Sequence, residues 1–347
     1  MKVLHAADRT DDASGIMTFV SRLDAALRDA GVDSSISYAL ADFVEKVPAC
    51  DVVHLHGLWT PWLHGAFCEA RRIGKSVVWS THGMTAPWAM RHKAWKKLPY
   101  WWLRQRRDLV AADAIHATTE LEAGWNRRAI GPSTAIFTVP VGTDEKRGPA
   151  VDGDSRVVLF VGRLHPVKGL ENLIRAFAAC ASRNAVLRLV GPDENGYAAK
   201  LNALASSLGV ADRVEMTGGL FGADLSRQYD ECAFLVLPSF TENFGAVVAD
   251  ALAHGKCAIA SRFTPWKTLE ERGCGWWVDN APEALAAAID GAFAAQERGE
   301  LPKMGERAAA FAAERFSWQA IARSMAEEYS RIESSRKEHS RKAKGFS

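Results

Sequence analysis

The sequence predicts two α/β domains in tandem, each a parallel sheet covered by helices on both faces. Three observations carry this: length, alternation of strand-like and helix-like segments, and repetition of that alternation. The chain has 347 residues, more than one hydrophobic core usually organises. Short apolar runs rich in branched residues alternate with longer stretches of helical period, the pattern of parallel sheets buried on both faces. In the first half the expected strands are Val3–Ala6, Ser35–Tyr38, Asp51–His56, Ser76–Thr81, Ala114–Ala117 and Ala135–Val139. In the second half they are Arg156–Gly162, Ala185–Val190, Val214–Thr217, Ala233–Leu237, Cys257–Ala260 and Gly275–Val278. Leu170, Leu173, Ile174 and Phe177 form one apolar helical stripe, and Trp318, Ile321, Ala322, Met325 and Tyr329 another near the end. Val141–Ser155, with three glycines, a proline and no apolar period, reads as the linker. Beyond Glu333 the Ser/Lys/Arg-rich segment reads as a frayed basic tail.

Composition narrows the function. Apolar residues make up 48%, charged residues 24%, and the net charge is +2, so no global field recruits nucleic acid or lipid. Six scattered cysteines without a CxxC pair suggest neither a zinc site nor a dithiol, and read as buried hydrophobes in a reducing compartment. The chain opens without a signal-peptide pattern and holds no apolar run long enough to span a bilayer, so a cytoplasmic location is expected.

In open α/β sheets ligands bind beyond the carboxyl ends of strands. The strand ending at Val161 runs into Gly162-Arg163-Leu164-His165-Pro166-Val167-Lys168-Gly169, where two cations flank a loop at a helix start. Backbone donors, a helix N-terminus and two positive charges suit a diphosphate; the same residues also fit a surface turn whose charges are solvated. The strand ending at Leu237 runs into Pro238-Ser239-Phe240-Thr241-Glu242-Asn243-Phe244-Gly245, with Asp250 further on. Eight residues of helix would separate Glu242 from Asp250 by roughly 12 Å at ~1.5 Å per residue. Two carboxylates so placed could grip hydroxyls at opposite ends of an extended ligand, the Asn243–Ala246 amides lying between them. An ordinary helix with an acidic first turn is the alternative.

Gly162-Arg163-x4-Lys168-Gly169 followed by Pro238-Ser239-x2-Glu242-x-Phe244-Gly245-x4-Asp250-Ala251 resembles the C-terminal domain of retaining glycosyltransferases of the GT-B fold, specifically glycosyltransferase family four, the group 1 enzymes. The resemblance extends over nearly the whole chain, through Ser14-Gly15, the Ser80-Thr81-His82-Gly83-Met84 segment and a closing helix near Phe316-Ser317-Trp318. It implies two Rossmann-like domains facing one cleft: an acceptor domain at 1–145, a donor domain at 150–315, a helix at 316–333 crossing back to the first domain, and a basic tail at 334–347. It implies that Arg163 and Lys168 neutralise a donor diphosphate, that Glu242 holds hydroxyls of the sugar with help from Asn243, Phe244 and Gly245, and that Asp250 holds the ribose. Gly15 would let its loop approach the donor phosphate, and His82 would lie near the reacting carbon. The family usually carries Glu where this chain has Asp250, which shortens the reach by one methylene.

Three other patterns compete. Gly74-Lys75-Ser76 resembles the end of a P-loop, but residue 69 is Glu and the run precedes a strand. Asp152-Gly153-Asp154 is a DxD, the metal clamp of a different glycosyltransferase fold, but it sits in the linker. His54 and His56 alternate at a strand end without a third ligand near them in sequence. No GxGxxG follows a strand. No metal and no cofactor are therefore expected, only a nucleotide-diphosphate sugar as donor.

Between Trp88 and Arg107 stand seven cations, interleaved with Trp88, Trp95, Tyr100, Trp101 and Trp102, and no acid. This suits an anionic membrane surface that presents a lipid-linked acceptor; a helix burying its tryptophans beneath a solvated basic face fits equally. Nucleic acid is not expected. The resulting expectation is a retaining, metal-independent hexosyltransferase at the inner face of the cytoplasmic membrane. It would act in lipopolysaccharide, capsule or exopolysaccharide assembly. A nucleotide-sugar epimerase, or a non-catalytic nucleotide-sugar binder, is the alternative.

Overall fold

The computed structural model describes residues 1–9, 15–144 and 155–344, with side chains as far as Glu338. Ser14, the Asp152-Gly153-Asp154 run and residues 145–154 of the linker region lie outside the described residues. The chain forms two compact units: Met1–Gly142 with Trp318–Ser347, and Thr143–Ser317.

The first unit is built on six strands: β1 Lys2–Ala7, β2 Asp33–Ser37, β3 Val52–His56, β4 Ser76–Ser80, β5 Ala114–Ala117 and β6 Ala135–Thr138. They lie in the order β2-β1-β3-β4-β5-β6, with every pair parallel. Alternate residues point to opposite faces. Leu4, Ala6, Val53, Leu55, Val77, Trp79 and Ile115 face one helical layer that includes Phe43, Leu63 and Phe67. Val3, Ala7, Val52, Val78 and Ala114 face the other, where the helix Gly15–Asp29 packs beside the closing helix through Phe19, Leu23, Ile321, Met325 and Tyr329.

The second unit repeats the plan with β7 Val157–Val161, β8 Val186–Val190, β9 Val214–Gly218, β10 Phe234–Leu237, β11 Cys257–Ser261 and β12 Gly275–Val278. Their order is β12-β11-β10-β7-β8-β9. Strands such as Val-Val-Leu-Phe-Val and Phe-Leu-Val-Leu are continuous apolar runs because both faces are covered. The stripe of Leu170, Leu173, Ile174 and Phe177 on the helix Leu170–Ala179 is wholly buried.

All twelve expected strands form, each within two residues of its expected bounds. The tail departs from expectation: the closing helix runs from Trp318 to Lys344 instead of stopping at Glu333. Arg336 explains part of this. Its Nη1 donates to both carboxylate oxygens of Asp113, at 2.7 and 2.8 Å, and Asp113 also accepts the backbone N–H of Val77 at 2.8 Å. A charge-assisted bond of this kind contributes about 1.5–3 kcal/mol. Arg336→Ala should therefore lower stability by about 1–2 kcal/mol in urea unfolding; an unchanged midpoint would mean that the last turns contribute nothing.

Candidate active site

In the second unit the strand order reverses between β7 and β10, and the two motif-bearing loops leave those two strands. The loops are tied together at their backbones. Phe240 N–H donates to the Val167 carbonyl at 2.9 Å, and His165 Nδ1 caps the turn by accepting from Val167 N–H at 3.1 Å. Gly169 sits at φ 68°, and a Cβ there would lie 2.1 Å from the Pro238 carbonyl oxygen, so only glycine lets the loops approach this closely. The approach brings Lys168 Nζ to 2.6 Å from Glu242 Oε1, which also accepts from Ser239 Oγ at 2.7 Å. Both charged side chains are mostly buried, at 17% and 12% exposure, so each charge depends on the other.

The remaining expected site residues are dispersed more than the sequence suggests. Arg163 does not reach the Lys168–Glu242 pair; its guanidinium is largely exposed and pairs with Glu194, just past β8. The Phe244 side chain turns into the core against Trp266 and Phe316, so only its backbone is left for a ligand; its carbonyl accepts from Trp266 Nε1 at 2.6 Å. Asn243 and Gly245 complete the loop, Gly245 at φ 80° capping the helix Ala246–Ala253. Glu242 thus precedes the helix, and the expected 12 Å of helical rise to Asp250 does not apply. Asp250 lies inside that helix and accepts from the hydroxyl of Thr143 at 2.5 Å. Thr143 carries no sequence signal. Gly15 opens the first helix, and a Cβ there would meet nothing within 4 Å.

In the first unit His82 follows β4 at φ 48°, an uncommon conformation for a residue with a side chain. Glu122 holds that turn: it accepts from Thr81 Oγ1 at 2.8 Å and Gly83 N–H at 2.6 Å with one oxygen, and from Thr118 N–H and Oγ1 at 2.8 Å with the other. Burial raises the Glu122 pKa, but the hydrogen bonds from Thr118, Gly83 and Thr81 and the nearby His82 outweigh it and keep the carboxylate ionised.

Beside His82 lies a buried layer of imidazoles, His5, His54, His56 and His116, at alternate positions of β1, β3 and β5 on one sheet face. His5, His54 and His56 are the one group among the described residues whose ligand atoms all come within 4.8 Å. His54 and His56 alternate along one strand and show in the sequence; His5 carries no such signal and arrives by strand pairing. His54 is already committed. The Val139 carbonyl can only accept, so His116 Nε2 donates to it at 2.8 Å. Neutral His116 then accepts at Nδ1 from Ser80 Oγ at 2.6 Å. Ser80 in turn accepts from His54 Nε2 at 2.6 Å, and His54 Nδ1 accepts from Tyr329 Oη at 2.6 Å. No lone pair of His54 remains for a cation, so the donor set does not fit a three-histidine metal centre.

The Trp88–Arg107 stretch buries one of its four tryptophans. Trp101 is in the core, but Trp88, Trp95 and Trp102 are exposed, Trp95 at 74%, with Leu98 and Leu103 beside them in sequence. Pro99 inside one helix and the π-helical turn Trp101–Gln105 break the helical phase. Lys96 lies over the Trp95 ring and Arg106 over Trp102. Among the described residues no helix is long and apolar enough to cross a membrane.

Two parallel-sheet units, the second with a basic and an acidic loop at its strand-order reversal, define an α/β protein of the GT-B kind. Family profiles agree: that for Glycosyltransferase Family 4 matches residues 8–147, and that for Glycosyl transferases group 1 matches residues 142–311. The chain belongs to the family 4, group 1 glycosyltransferases. It is 33% identical over 244 residues to D-inositol 3-phosphate glycosyltransferase 2 of Catenulispora acidiphila, across 64% of this chain and 56% of that one. It is 31% identical over 215 residues to the GDP-mannose-dependent alpha-(1-6)-phosphatidylinositol monomannoside mannosyltransferase of Mycolicibacterium smegmatis, across 56% and 54%. The chain thus spans about half the length of the curated relatives it matches. The fold is similar to sucrose-phosphate synthase of Thermosynechococcus elongatus, with a TM-score of 0.79 at 21% identity over 96% of this chain and all of the other.

The imidazole layer makes stability depend on acid. Burial lowers the His5 pKa to about 3 and those of His54 and His56 well below 6.5. His82 is lowered to about 4 by burial, against the pull of Glu122. Unfolded, each would take a proton near 6.5. Between the folded and unfolded values the unfolded state holds more protons, so stability is complete above about pH 6.5 and falls as pH drops toward 4. The loss should approach about 1.4 kcal/mol per pH unit for each histidine. Urea midpoints at pH 7.5 and 5.5 should show a marked fall; equal midpoints would mean that the folded rings take up protons as readily as the unfolded chain does.

Proposed function

We propose that this chain is a retaining glycosyltransferase that moves a sugar from a nucleotide-diphosphate sugar to a carbohydrate or lipid-linked carbohydrate acceptor, without a divalent metal. The Lys168–Glu242 pair, held by loops on either side of the β7/β10 reversal, carries the reading, and membership of the family supports it. Breaking the glycosidic bond leaves negative charge on the departing diphosphate. Lys168, and Arg163 after it leaves Glu194, would meet that charge beside the N-terminus of the helix Leu170–Ala179, the neutralisation that Mg²⁺ supplies elsewhere. Glu242 would accept hydroxyls of the transferred sugar. Asp250 and the Asn243–Ala246 backbone would hold the ribose and phosphate side. In the first unit His82 would face the substrate, and that unit would carry the acceptor.

The exposed indoles and cations of Trp88–Arg107 support a membrane-surface setting, such as bacterial surface-polysaccharide assembly at the inner leaflet. Tryptophan favours the headgroup layer, and each nearby cation adds about 1 kcal/mol against anionic lipid. The phosphatidylinositol-based acceptor in the name of the mycolicibacterial relative is in keeping with this.

Four expected outcomes follow from this arrangement. In an incubation with donor and acceptor, nucleoside diphosphate should be released only when acceptor is present, the anomeric configuration should be kept, and chelator should not matter; an altered donor without acceptor would instead mean epimerisation. Lys168→Ala should lower turnover about a hundredfold, and more than Arg163→Ala does. Glu242→Gln should lower turnover too, yet leave nucleoside diphosphate bound at least as tightly, because it removes the anion that competes for Lys168. Weaker nucleoside diphosphate binding in Glu242→Gln would contradict that arrangement. Finally, the protein should float with vesicles containing anionic lipid at low salt and detach as salt screens the contact. Replacing exposed Arg91, Lys93, Lys96 and Arg104 with Gln should abolish flotation; wild-type protein that ignores such vesicles would remove the membrane reading.

A further inference from the structure

His82 is the end of a second imidazole chain, separate from the one that runs through His54. Its Nε2 lies 3.1 Å from His56 Nδ1, and His56 Nε2 lies 3.0 Å from His5 Nδ1. His56 closes β3 and His5 sits within β1, so adjacent strands fix both rings, and both are buried. The chain stops at His5, whose Nε2 is buried without a hydrogen-bond partner.

Neutral imidazole has one N–H and one lone pair. Three rings joined by two contacts therefore allow only two arrangements of protons. If His82 Nε2 donated to His56, then His56 would donate to His5, and the proton left on His5 would be an N–H buried without an acceptor. If the chain runs the other way, His5 Nδ1 donates to His56 Nε2, His56 Nδ1 donates to His82 Nε2, and the group left over on His5 is a lone pair. Orphaned buried N–H groups are rarer in folded proteins than under-used acceptors, which favours the second direction. Burial keeps the rings neutral near pH 7, so neither chain end is relieved by an extra proton.

We propose that His5 and His56 are positioning residues that hold His82 as the Nδ1–H tautomer, so that its Nδ1–H is offered to an oxygen acceptor on the substrate. Among the described residues nothing bonds to His82 Nδ1, and the ring is only half-buried. Its orientation is set on three sides: His56 at Nε2, the Phe19 ring edge-on at 5.4 Å, and the backbone turn that Glu122 grips through Gly83. The substrate acceptor would be a hydroxyl, ring or phosphate oxygen of the carbohydrate. This part rests on the reading of His82 as a substrate-facing group; the tautomer does not.

Nitrogen-15 NMR of ring-labelled histidine reads the tautomer directly, without ligand. In the wild type at pH 7.5, His82 should show a protonated Nδ1 and a bare Nε2. In His56→Phe the bare Nε2 loses its donor, and His82 should move to the Nε2–H form or to an exchanging mixture. With substrates, kcat of that variant should fall about tenfold, while nucleoside diphosphate affinity stays within twofold, because the Lys168 loop belongs to the other unit. A wild-type His82 protonated at Nε2, or at both nitrogens, overturns the proposal even if His56→Phe does not fold. The expected wild-type tautomer surviving unchanged in a folded His56→Phe overturns the positioning role. If the tautomer changes as expected but kcat does not, the lock stands and the placement of His82 against substrate is what falls.

Discussion

A parallel sheet buried on both faces has almost nowhere to do polar chemistry except at the ends of its strands, and most of this chain follows from that constraint. In the second unit the reversal of strand order between β7 and β10 parts the flanking loops from the helices on each side and leaves them facing one another. Lys168 and Glu242, separated by 74 residues, meet there at 2.6 Å. The contact depends on glycine at 169, where any side chain would strike the Pro238 carbonyl, and on the backbone bond between Phe240 and Val167. A buried pair of this kind adds little net stability, since each ion has lost its water. Its consequence is a cation and a carboxylate held in place where little water screens them.

The first unit meets the same constraint differently. Its sheet carries polar rings into one buried face, and each is neutralised and bonded instead of being left to water. The closing helix takes part, because Tyr329 supplies the donor that starts the His54 chain, 275 residues away in sequence. Glu122 brings a carboxylate into this region, with four hydrogen bonds that replace its hydration. The result is a rigid support beneath the His82 turn, which would otherwise be an exposed loop at an unfavourable φ.

Much of this was legible in the sequence, for local reasons. Strands covered on both faces read as apolar runs, so twelve could be placed, and motifs that follow a strand inherit its position. What was not legible depended on pairing at a distance. His5 reaches His56 only through the register of β1 on β3, and neither Thr143 nor Glu194 carries a pattern that would point to Asp250 or Arg163. The helical spacing assumed from Glu242 to Asp250 failed because Gly245 adopts a left-handed conformation and delays the helix to Ala246. The tryptophans of Trp88–Arg107 could not be assigned to core or surface by period, since Pro99 and the π-helical turn change the phase midway. The closing helix outran its apolar stripe in part because Arg336 pairs with the half-buried carboxylate of Asp113, 223 residues away in sequence.

The central claim is that the two loops at the β7/β10 reversal form a nucleotide-diphosphate site. Titrating nucleoside diphosphates into protein with labelled backbone amides tests it most directly. The account predicts saturable shifts concentrated in Arg163–Gly169 and Glu242–Ala246, lost in Lys168→Ala. Binding that left those amides unmoved and shifted residues elsewhere would contradict it.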